Sequence, residues 1–239
     1  MNPSNSLASD AWSALSKNRA AWFSAIALTT MVLLVLLGPL VSPHEVDQTN
    51  WSKLAKPPSM DDGHIFGTDD LGRDLFVRTM YGGRISLMVG IVATLVSVLI
   101  GVSYGAISGF VGGKVDSIMM RIVDVLYAMP FLFFVILLMV FFGRSIFLIF
   151  VAIGAVNWLD IARIVRGQTL TIKGKEFVDA AKAGGVSTFR IIFRHIVPNL
   201  MGIVVVYVAL TVPQVILVES CLWLFGLGVQ EPKTSWGGV

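Results

Sequence analysis

The sequence predicts an all-α protein that crosses a membrane several times. Of its 239 residues, 55% are hydrophobic and only 14% are charged, whereas a soluble domain carries about 25% charged residues. A membrane-spanning helix needs roughly 20 apolar residues. Five stretches without Asp, Glu, Lys or Arg approach that length, the fourth only if Asp160 and its neighbours are included: residues 20–41, 85–113, 125–143, 145–159 and 196–218. We therefore predict five transmembrane helices.

The first stretch is predicted to be an uncleaved anchor. It is longer than the core of a signal peptide, and no small-residue cleavage site follows it. The chain then divides into a leader (1–19), a first span (20–41), a loop with an interfacial helix (42–84) and a membrane core (85–239). The interfacial helix is predicted from the helical spacing of Leu71, Leu75, Phe76 and Met80.

The distribution of basic residues predicts which side of the membrane each loop faces. Cytoplasmic loops carry an excess of Lys and Arg. If successive spans alternate in direction, the leader and the connections at 114–124 and 160–195 share one side and carry eleven of the 18 basic residues. We therefore expect the N-terminus to be cytoplasmic. The chain ends at Val239 on the outer side, after a further apolar piece, and we expect a sixth span beyond it.

The connection before the last stretch contains a charged segment, EFVDAAKAGGVSTFRIIFRHIVPN (176–199), within a predicted helix pair at about 174–196. Ser187 is predicted to cap the second helix, and Pro198 suits the first turn of the next span. Apolar or small residues recur at helical spacing on both sides of the glycine pair: Phe177, Ala180, Ala181 and Gly184, then Phe189, Ile192, Phe193 and Ile196. The sequence therefore predicts two short amphipathic helices that meet at a bend at Gly184-Gly185.

Three uses are compatible with such a helix pair. It would suit a lipid surface, with its basic residues toward anionic headgroups. It would equally suit an ordinary loop packed on its own protein, or a segment that docks in a groove of a soluble partner. The pattern alone does not decide among them.

The segment resembles the coupling-helix signature of permease subunits from ATP-binding-cassette importers. That signature has an acidic residue, two alanines, a glycine, a position that is usually apolar and a proline, all at fixed spacing. The matching residues here are Asp179, Ala180, Ala181, Gly185, His195 and Pro198, with aspartate in place of the usual glutamate and histidine at the usually apolar position. In that family the loop fits a cleft on the cytoplasmic ATPase subunit. The resemblance implies an ATPase-coupling role for these residues and their neighbours Glu176, Gly184, Phe189, Arg190 and Arg194.

Five further motifs resemble the oligopeptide and dipeptide branch of this family, in particular its second permease subunit: HIFGTDDLGRDLFVR (64–78), GGRISLMVG (82–90), GGKVDSIMMR (112–121), NWLDIARIVRGQTL (157–170) and FGLGVQEPKTSWG (225–237). The resemblance implies a type I importer permease in the inner membrane of a bacterium. Its implied partners are a second homologous permease, two cytoplasmic ATPases that bind ATP and Mg²⁺, an external peptide-binding protein, a peptide substrate and the lipid bilayer. Members of the family continue through one more span after the last motif.

The sequence carries no sign of an enzyme. It has no G-x-x-x-x-G-K-[ST] loop to hold phosphates, so any ATP hydrolysis is expected on another polypeptide, and we expect no cofactor on this chain. His44, His64 and His195 are far apart in the sequence and are predicted to lie on opposite sides of the membrane. We therefore expect no catalytic residue and no metal site, and no nucleic-acid partner.

Three glycines on the second span recur every four residues: Gly101, Gly105 and Gly109. This spacing places them on one helix face, where another helix can approach closely. Glycine is also common in membrane helices without any special role. We predict close packing, either with a helix of this chain or with a second permease subunit.

Charged residues at the edges of apolar stretches need a partner or a cavity, because charge in a bilayer is costly. Arg121 lies one helical turn before Asp124, and Arg163 lies one turn after Asp160. We therefore predict local ion pairs for these two aspartates.

Glu219 has no local partner, and it follows Pro213, which is expected to break or kink the last span. We predict a substrate pathway that includes Met129, Pro213 and Glu219, with stabilisation of a re-entrant turn as the alternative role for Glu219. Substrates other than oligopeptides remain open: dipeptides, nickel chelates or cell-wall peptides. So do two other classes of protein, an ion-coupled carrier with Asp124 and Glu219 as proton sites, and a membrane scaffold that does not transport.

Overall fold

The computed structural model describes residues 15–143, 145–229, 231 and 233–239. In these ranges the chain is helical, with two isolated β-bridges and no strand, so the predicted all-α class is confirmed. The chain divides into two compact units, Met1–Arg84 with Val239, and Ile85–Gly238.

The first unit contains helix α1 (Arg19–Val41) and the beginning of helix α2 (Leu75–Val111). At the start of α1, the Asn18 side chain accepts hydrogen bonds from the backbone N–H groups of Ala20 and Ala21, at 3.0 and 3.3 Å. Such a cap satisfies donors that the first turn of a helix otherwise leaves free. It fixes where the predicted first span begins.

Pro39 lies inside α1 near its end and leaves a backbone acceptor without its usual donor. A proline has no N–H, so the carbonyl four residues earlier, that of Val35, loses its helical hydrogen bond. Arg84 Nε donates to this carbonyl at 3.1 Å, and Arg84 Nη2 donates to the carbonyl of Leu36. Arg84 therefore completes the hydrogen bonding of α1 from the neighbouring helix.

The segment between α1 and α2 is held by turns rather than by regular structure. Asp69 Oδ1 accepts from the backbone N–H groups of Leu71 and Arg73 at 2.9 and 2.8 Å, and Asp69 Oδ2 accepts from Arg73 Nε at 2.7 Å. Partial burial raises the pKa of Asp69, but these hydrogen bonds outweigh it and hold the pKa below its ordinary value. The Asp69 carboxylate is therefore charged at neutral pH and holds the turn at Leu71–Arg73 through its hydrogen bonds.

Two histidines of this segment lie side by side, which the sequence does not lead one to expect. The rings of His44 and His64 are stacked, with centroids 4.3 Å apart. His64 Nδ1 lies 2.8 Å from Asp74 Oδ2. Turns therefore bring together residues that lie 20 and 10 positions apart in the sequence, so distance along the sequence is no argument against a group of metal-ligand side chains here.

The second unit continues α2 and adds α3 (Gly113–Ala128), α4 (Phe131–Phe142), α5 (Ile146–Lys173), α6 (Glu176–Ala183), α7 (Thr188–Ile191) and α8 (Val197–Leu224). A π-helical turn (Ile192–Ile196) joins α7 to α8, and a 3₁₀ turn (Trp236–Gly238) lies near the end of the chain. Helix α2 runs from Leu75 to Val111 without a break. The helix predicted at the interface before the second span is therefore the first part of α2, not a separate element.

The described residues contain fewer clear spans than the five predicted. Three helices are long and apolar enough to cross a membrane, Arg19–Val41, Leu75–Val111 and the continuous helix Thr188–Leu224. The pair α3 and α4 counts as a fourth if it is one broken span. Helix α5 is not among the helices identified as spans in the described residues, and the prediction that it crosses the membrane stays a prediction.

The third predicted span is broken at Met129-Pro130, where α3 and α4 meet at 86°. Proline disfavours helical geometry in the residue before it, and Met129 is extended, with φ −75° and ψ 132°. Pro130 is also extended and begins α4. A single helix through 125–143 was the wrong prediction, and Pro130 was the signal for the break.

The three glycines on α2 lie directly against α5. A Cβ on Gly101 would stand 2.7 Å from Ile161 Cβ, and a Cβ on Gly109 would stand 2.8 Å from the carbonyl oxygen of Arg166. A Cβ on Gly105 would collide with the backbone oxygen of Ala162. The helix that approaches this stripe therefore belongs to the same chain.

An ion pair that the sequence did not reveal ties three helices of the second unit together. Arg166 on α5 contacts the Asp116 carboxylate of α3 through Nε and Nη2, at 2.5 and 2.6 Å. Ser108 on α2 donates to the same carboxylate at 2.5 Å. Asp116 is 9% exposed, and a paired geometry of this kind is the strong form of a charged hydrogen bond.

Candidate functional site

The turn between α6 and α7 is a glycine-terminated helix end. The N–H of Val186 donates to the Ala181 carbonyl at 3.1 Å, and the N–H of Gly185 donates to the Lys182 carbonyl at 3.0 Å. This pair of bonds is the Schellman motif, in which the residue after the cap adopts left-handed geometry. Gly185 has φ +72°, whereas the neighbouring Gly184 has φ −74°. The bend therefore depends on Gly185 specifically.

One side of the bent segment, which consists of α6, α7 and the π-helical turn (residues 176–196), is packed into the main apolar cluster of the second unit. The fully buried members Val178, Ile191 and Ile196 anchor it, and burying such a side chain contributes about 1.5–3 kcal/mol relative to exposure in water. The cluster joins α2, α5 and the segment with α8: Val102, Ala106, Phe110, Ile161, Val165, Ile172, Val178, Ile191, Ile192, Ile196, Leu200 and Val204. The segment is thus fixed to three long helices.

The opposite side of the segment exposes aromatic residues. Phe177, Phe189 and Phe193 are 40%, 70% and 36% exposed, and the rings of Phe189 and Phe193 are 4.5 Å apart. The predicted apolar faces are therefore only partly right. The predicted face of α6 includes Phe177, whereas Val178 is the buried residue of this helix.

The charged and small residues predicted for coupling mostly lie on the exposed side. Asp179 pairs with Lys182 at 3.0 Å within α6. The predicted cap at Ser187 is wrong, because its side chain makes no capping hydrogen bond. His195 is half-buried, and the remaining predicted coupling residues are exposed apart from half-buried Ala181: Glu176, Asp179, Ala180, Gly184, Gly185, Phe189, Arg190, Arg194 and Pro198.

The junction with α8 is a π-helical turn, in which the N–H of Val197 donates to the carbonyl of Ile192. Pro198 follows at once; it has no N–H, and its ring would clash with the carbonyl of Arg194 in a regular helix. The Asn199 side chain donates to the carbonyl of His195 at 2.6 Å. Such turns often occur at functional sites, and this one makes the second predicted helix continuous with the last span.

A cavity of about 580 Å³ lies in the second unit between the broken α3–α4 pair, α5 and α8. Most of its lining is apolar, and Asn157, Asp160 and Gln214 are among the polar groups that reach it: Leu126, Tyr127, Met129, Phe131, Phe134, Ala155, Val156, Asn157, Trp158, Leu159, Asp160, Gln214 and Val218. Of the three predicted pathway residues, only Met129 lines it. Pattern reasoning missed Gln214 and Asn157, which lie in apolar runs as uncharged polar residues.

Glu219 lies away from this cavity and is fully buried. Its Oε2 accepts from Ser86 Oγ at 3.3 Å, and Ser86 Oγ accepts from the backbone N–H of Trp236 at 3.1 Å. Helix α8 continues through Pro213 to Leu224, so Pro213 does not break the last span, and the alternative of a kink stays a prediction. Glu219 therefore links α8 to α2 and to the 3₁₀ turn.

The two predicted local ion pairs are replaced by one between helices. Arg163 Nη2 on α5 lies 2.7 Å from Asp124 Oδ1 on α3, and the guanidinium also stacks over the Tyr127 ring at 4.4 Å. Arg163 was assigned to Asp160 by sequence spacing, and Asp124 to Arg121. Asp160 instead is exposed in the cavity lining.

Comparison with known proteins agrees with this architecture. The family model described as "Binding-protein-dependent transport system inner membrane component" matches residues 97–239. A second model, the N-terminal TM domain of oligopeptide transport permease C, matches residues 6–58.

Several curated proteins are similar along nearly the whole chain. The oligopeptide transport system permease protein OppC of Escherichia coli strain K12 is 58% identical over 98% of this chain and 78% of its own length. OppC of Haemophilus influenzae is 52% identical over 98% and 75%. The dipeptide transport system permease protein DppC of Bacillus subtilis is 49% identical over 98% and 73%. The chain therefore belongs to the binding-protein-dependent family of inner-membrane transport components, the multi-pass permease subunits of ATP-binding-cassette importers.

Proposed function

We propose that this permease moves oligopeptides across the inner membrane and receives the energy for transport at the exposed face of α6 and α7. This proposal rests on the different packing of the two faces of that segment. Its buried face is held by α2, α5 and α8, while its exposed face presents three phenylalanines among charged residues. A partner bound to the exposed face would therefore pull directly on three long helices.

The partner that fits this surface is a soluble ATPase subunit. Exposed aromatic residues ringed by charge are typical of a docking site for a groove in another protein. The chain has no phosphate-binding loop of its own, so ATP and Mg²⁺ would bind to the partner. The N-terminus, α6 and α7 then face the cytoplasm, in keeping with the excess of basic residues on that side.

The complete importer in this proposal has four further subunits. A second, homologous permease would pair with this chain, two ATPases would dock on the two permeases, and a peptide-binding protein would deliver substrate from outside. The relatives named as oligopeptide permeases support this assembly and substrate. The B. subtilis relative, named a dipeptide permease, makes dipeptides the alternative substrate.

The cavity beside α5 suits a peptide of variable sequence. Its apolar lining can accept different side chains, and the amide groups of Asn157 and Gln214 can hydrogen-bond a peptide backbone, which every peptide shares. The exposed carboxylate of Asp160 can pair with a peptide amino group. Most of the selection among peptides would then fall to the external binding protein.

The buried carboxylate of Glu219 is the observation that favours a second function, ion-coupled transport. Buried ionisable groups in membrane helices often carry protons. Its contacts with Ser86, however, connect packed elements rather than the cavity. We therefore assign Glu219 a structural role.

A transport assay separates the two functions. The assembled importer is placed in proteoliposomes, and uptake of a labelled oligopeptide is measured either with ATP at the ATPase side or with a proton gradient alone. We expect uptake only with ATP, and we expect the double variant Asp124→Asn, Glu219→Gln to keep at least half of it. Uptake driven by the gradient alone, and lost in the double variant, would establish the ion-coupled function instead.

A further inference from the structure

His44, His64 and Asp74, in the first unit, have the composition and spacing of a metal site. Two imidazoles and a carboxylate are common ligands of zinc and related divalent ions. One ligand atom from each residue lies within 4.8 Å of the other two. We propose that these three side chains, called the His-His-Asp cluster, bind a divalent transition-metal ion of the zinc type.

The first independent observation is an unsatisfied nitrogen. His44 Nε2 is buried and has no hydrogen-bond partner among the residues that the structure describes. Buried polar atoms usually have such a partner. A neutral imidazole nitrogen is a good metal ligand, and an ion bound at this nitrogen supplies the interaction that His44 lacks.

The second observation is the hydrogen bond between His64 and Asp74, whose side chains are almost fully buried. His64 Nδ1 and Asp74 Oδ2 are 2.8 Å apart. With zinc–ligand bonds of about 2.0–2.2 Å, neighbouring ligand atoms in a tetrahedral site lie about 3.3 Å apart. An ion can therefore take the place of the shared proton if this pair opens by about half an ångström, with neutral His64 binding through Nδ1 and carrying its proton on Nε2 instead.

The carboxylate of the cluster is held in position by the helix that follows. Asp74 Oδ1 accepts from the backbone N–H of Val77 at 2.8 Å, in the first turn of α2. Asp74 Oδ2 is thereby directed toward His64. A ligand fixed by a second hydrogen bond of this kind is a common feature of metal sites.

The rings must move slightly for both to bind one ion. A bound metal lies in the plane of each imidazole, and the two rings are stacked only 15° from parallel. His44 is the ring that turns, because it is less buried than His64 and its Nε2 makes no hydrogen bond. Rotation of an imidazole about χ2 has a broad energy minimum, so the stack opens on loading.

A polar cavity of about 90 Å³ adjoins the cluster and leaves room for a water molecule as the fourth ligand: it is lined by His44, Gln48, Asn50, Lys53, His64, Gly72 and Asp74. A water molecule occupies about 30 Å³ in the liquid. Lys53 would repel a cation, but its ammonium lies 3.3 Å from the carboxylate of Asp62, which offsets that charge.

The test measures metal binding to the full chain, purified in its complex with a tag that contains no histidine. Dialysis against Zn²⁺ is followed by elemental analysis, and Co²⁺ is added separately as a spectroscopic probe. We expect one zinc per chain and the intense visible absorption of tetrahedral cobalt. His44→Ala should weaken zinc binding at least tenfold and remove that absorption, and Asp74→Asn should do the same.

His195→Ala is the matched control, because it removes the third histidine of the chain outside the cluster. It should bind zinc like the unmodified chain. His44→Ala is expected to remain folded, since its Nε2 makes no hydrogen bond to lose, and its elution as an intact complex checks this. An unmodified chain that retains no zinc, or zinc binding equal in His44→Ala, would overturn the proposal.

Discussion

Replacement of Gly185 with valine is expected to reduce ATP-driven peptide uptake by a factor of about 5–30 while the chain still inserts into the membrane. Gly185 has φ +72°, and a Cβ added there would meet nothing within 4 Å. The free-energy cost of valine therefore comes from the left-handed backbone conformation and not from steric crowding. An ordinary residue in this conformation costs about 1–2 kcal/mol, a factor of about 5–30 in an equilibrium. A helix as short as α6 cannot hold its end without the turn, so the docking face would be misplaced.

Two variants make this result specific to the turn. Gly184→Ala should transport normally, because Gly184 has φ −74° and a Cβ there meets only ordinary contacts. Gly185→Asn should keep an intermediate rate, since asparagine tolerates left-handed geometry better than valine does. Uptake is measured in proteoliposomes containing equal amounts of assembled complex. Equal uptake by Gly185→Val and the unmodified chain would show that the bend does not transmit energy.

Substitution of Gly105 with alanine is expected to destabilise the second unit, although alanine normally stabilises a helix relative to glycine by about 1 kcal/mol. The added methyl group would collide with the backbone oxygen of Ala162. A backbone atom cannot turn away as a side chain can, so α2 and α5 must separate. Overpacking of this kind costs about 1–3 kcal/mol, and Gly105→Leu should cost more.

The measurement is thermal unfolding of the detergent-solubilised complex. Gly105→Ala should unfold several degrees lower than the unmodified chain. Gly167→Ala is the matched control on α5, where a Cβ meets nothing within 4 Å, and it should unfold at the same temperature or higher. If both variants behave alike, the close approach of α2 to α5 is not what holds this unit together.

Composition and charge-free runs predicted the helical membrane fold well, because the bilayer demands long apolar stretches whatever the tertiary structure. These two features predicted the helices wrongly where a proline interrupts an apolar run. Pro130 divides the run 125–143 into two helices. The run was equated with one helix that crosses the membrane, although a proline at its middle predicts a break.

Side-chain partners were predicted poorly, since they depend on which helices pack together. Sequence spacing pairs Arg163 with Asp160, whereas the fold pairs it with Asp124 on another helix. The contact of Arg166 with Asp116 joins residues 50 positions apart, and no pattern in the sequence signals it. The three glycines on α2 were a better guide. A row of glycines on one helix face predicts that another helix packs closely there, and α5 does so.

The most direct measurement of the central claim is cross-linking from the exposed face of α7. Phe189→Cys, in a chain whose exposed Cys221 is replaced by serine, is treated with a short thiol-to-amine reagent in membranes that contain all subunits. Val140→Cys is the control, because Val140 is 73% exposed on the apolar helix α4. We expect Phe189→Cys, and not Val140→Cys, to form an adduct with the ATPase subunit. Absence of that adduct in membranes where the ATPase co-purifies with this chain would contradict the coupling role of the bent segment.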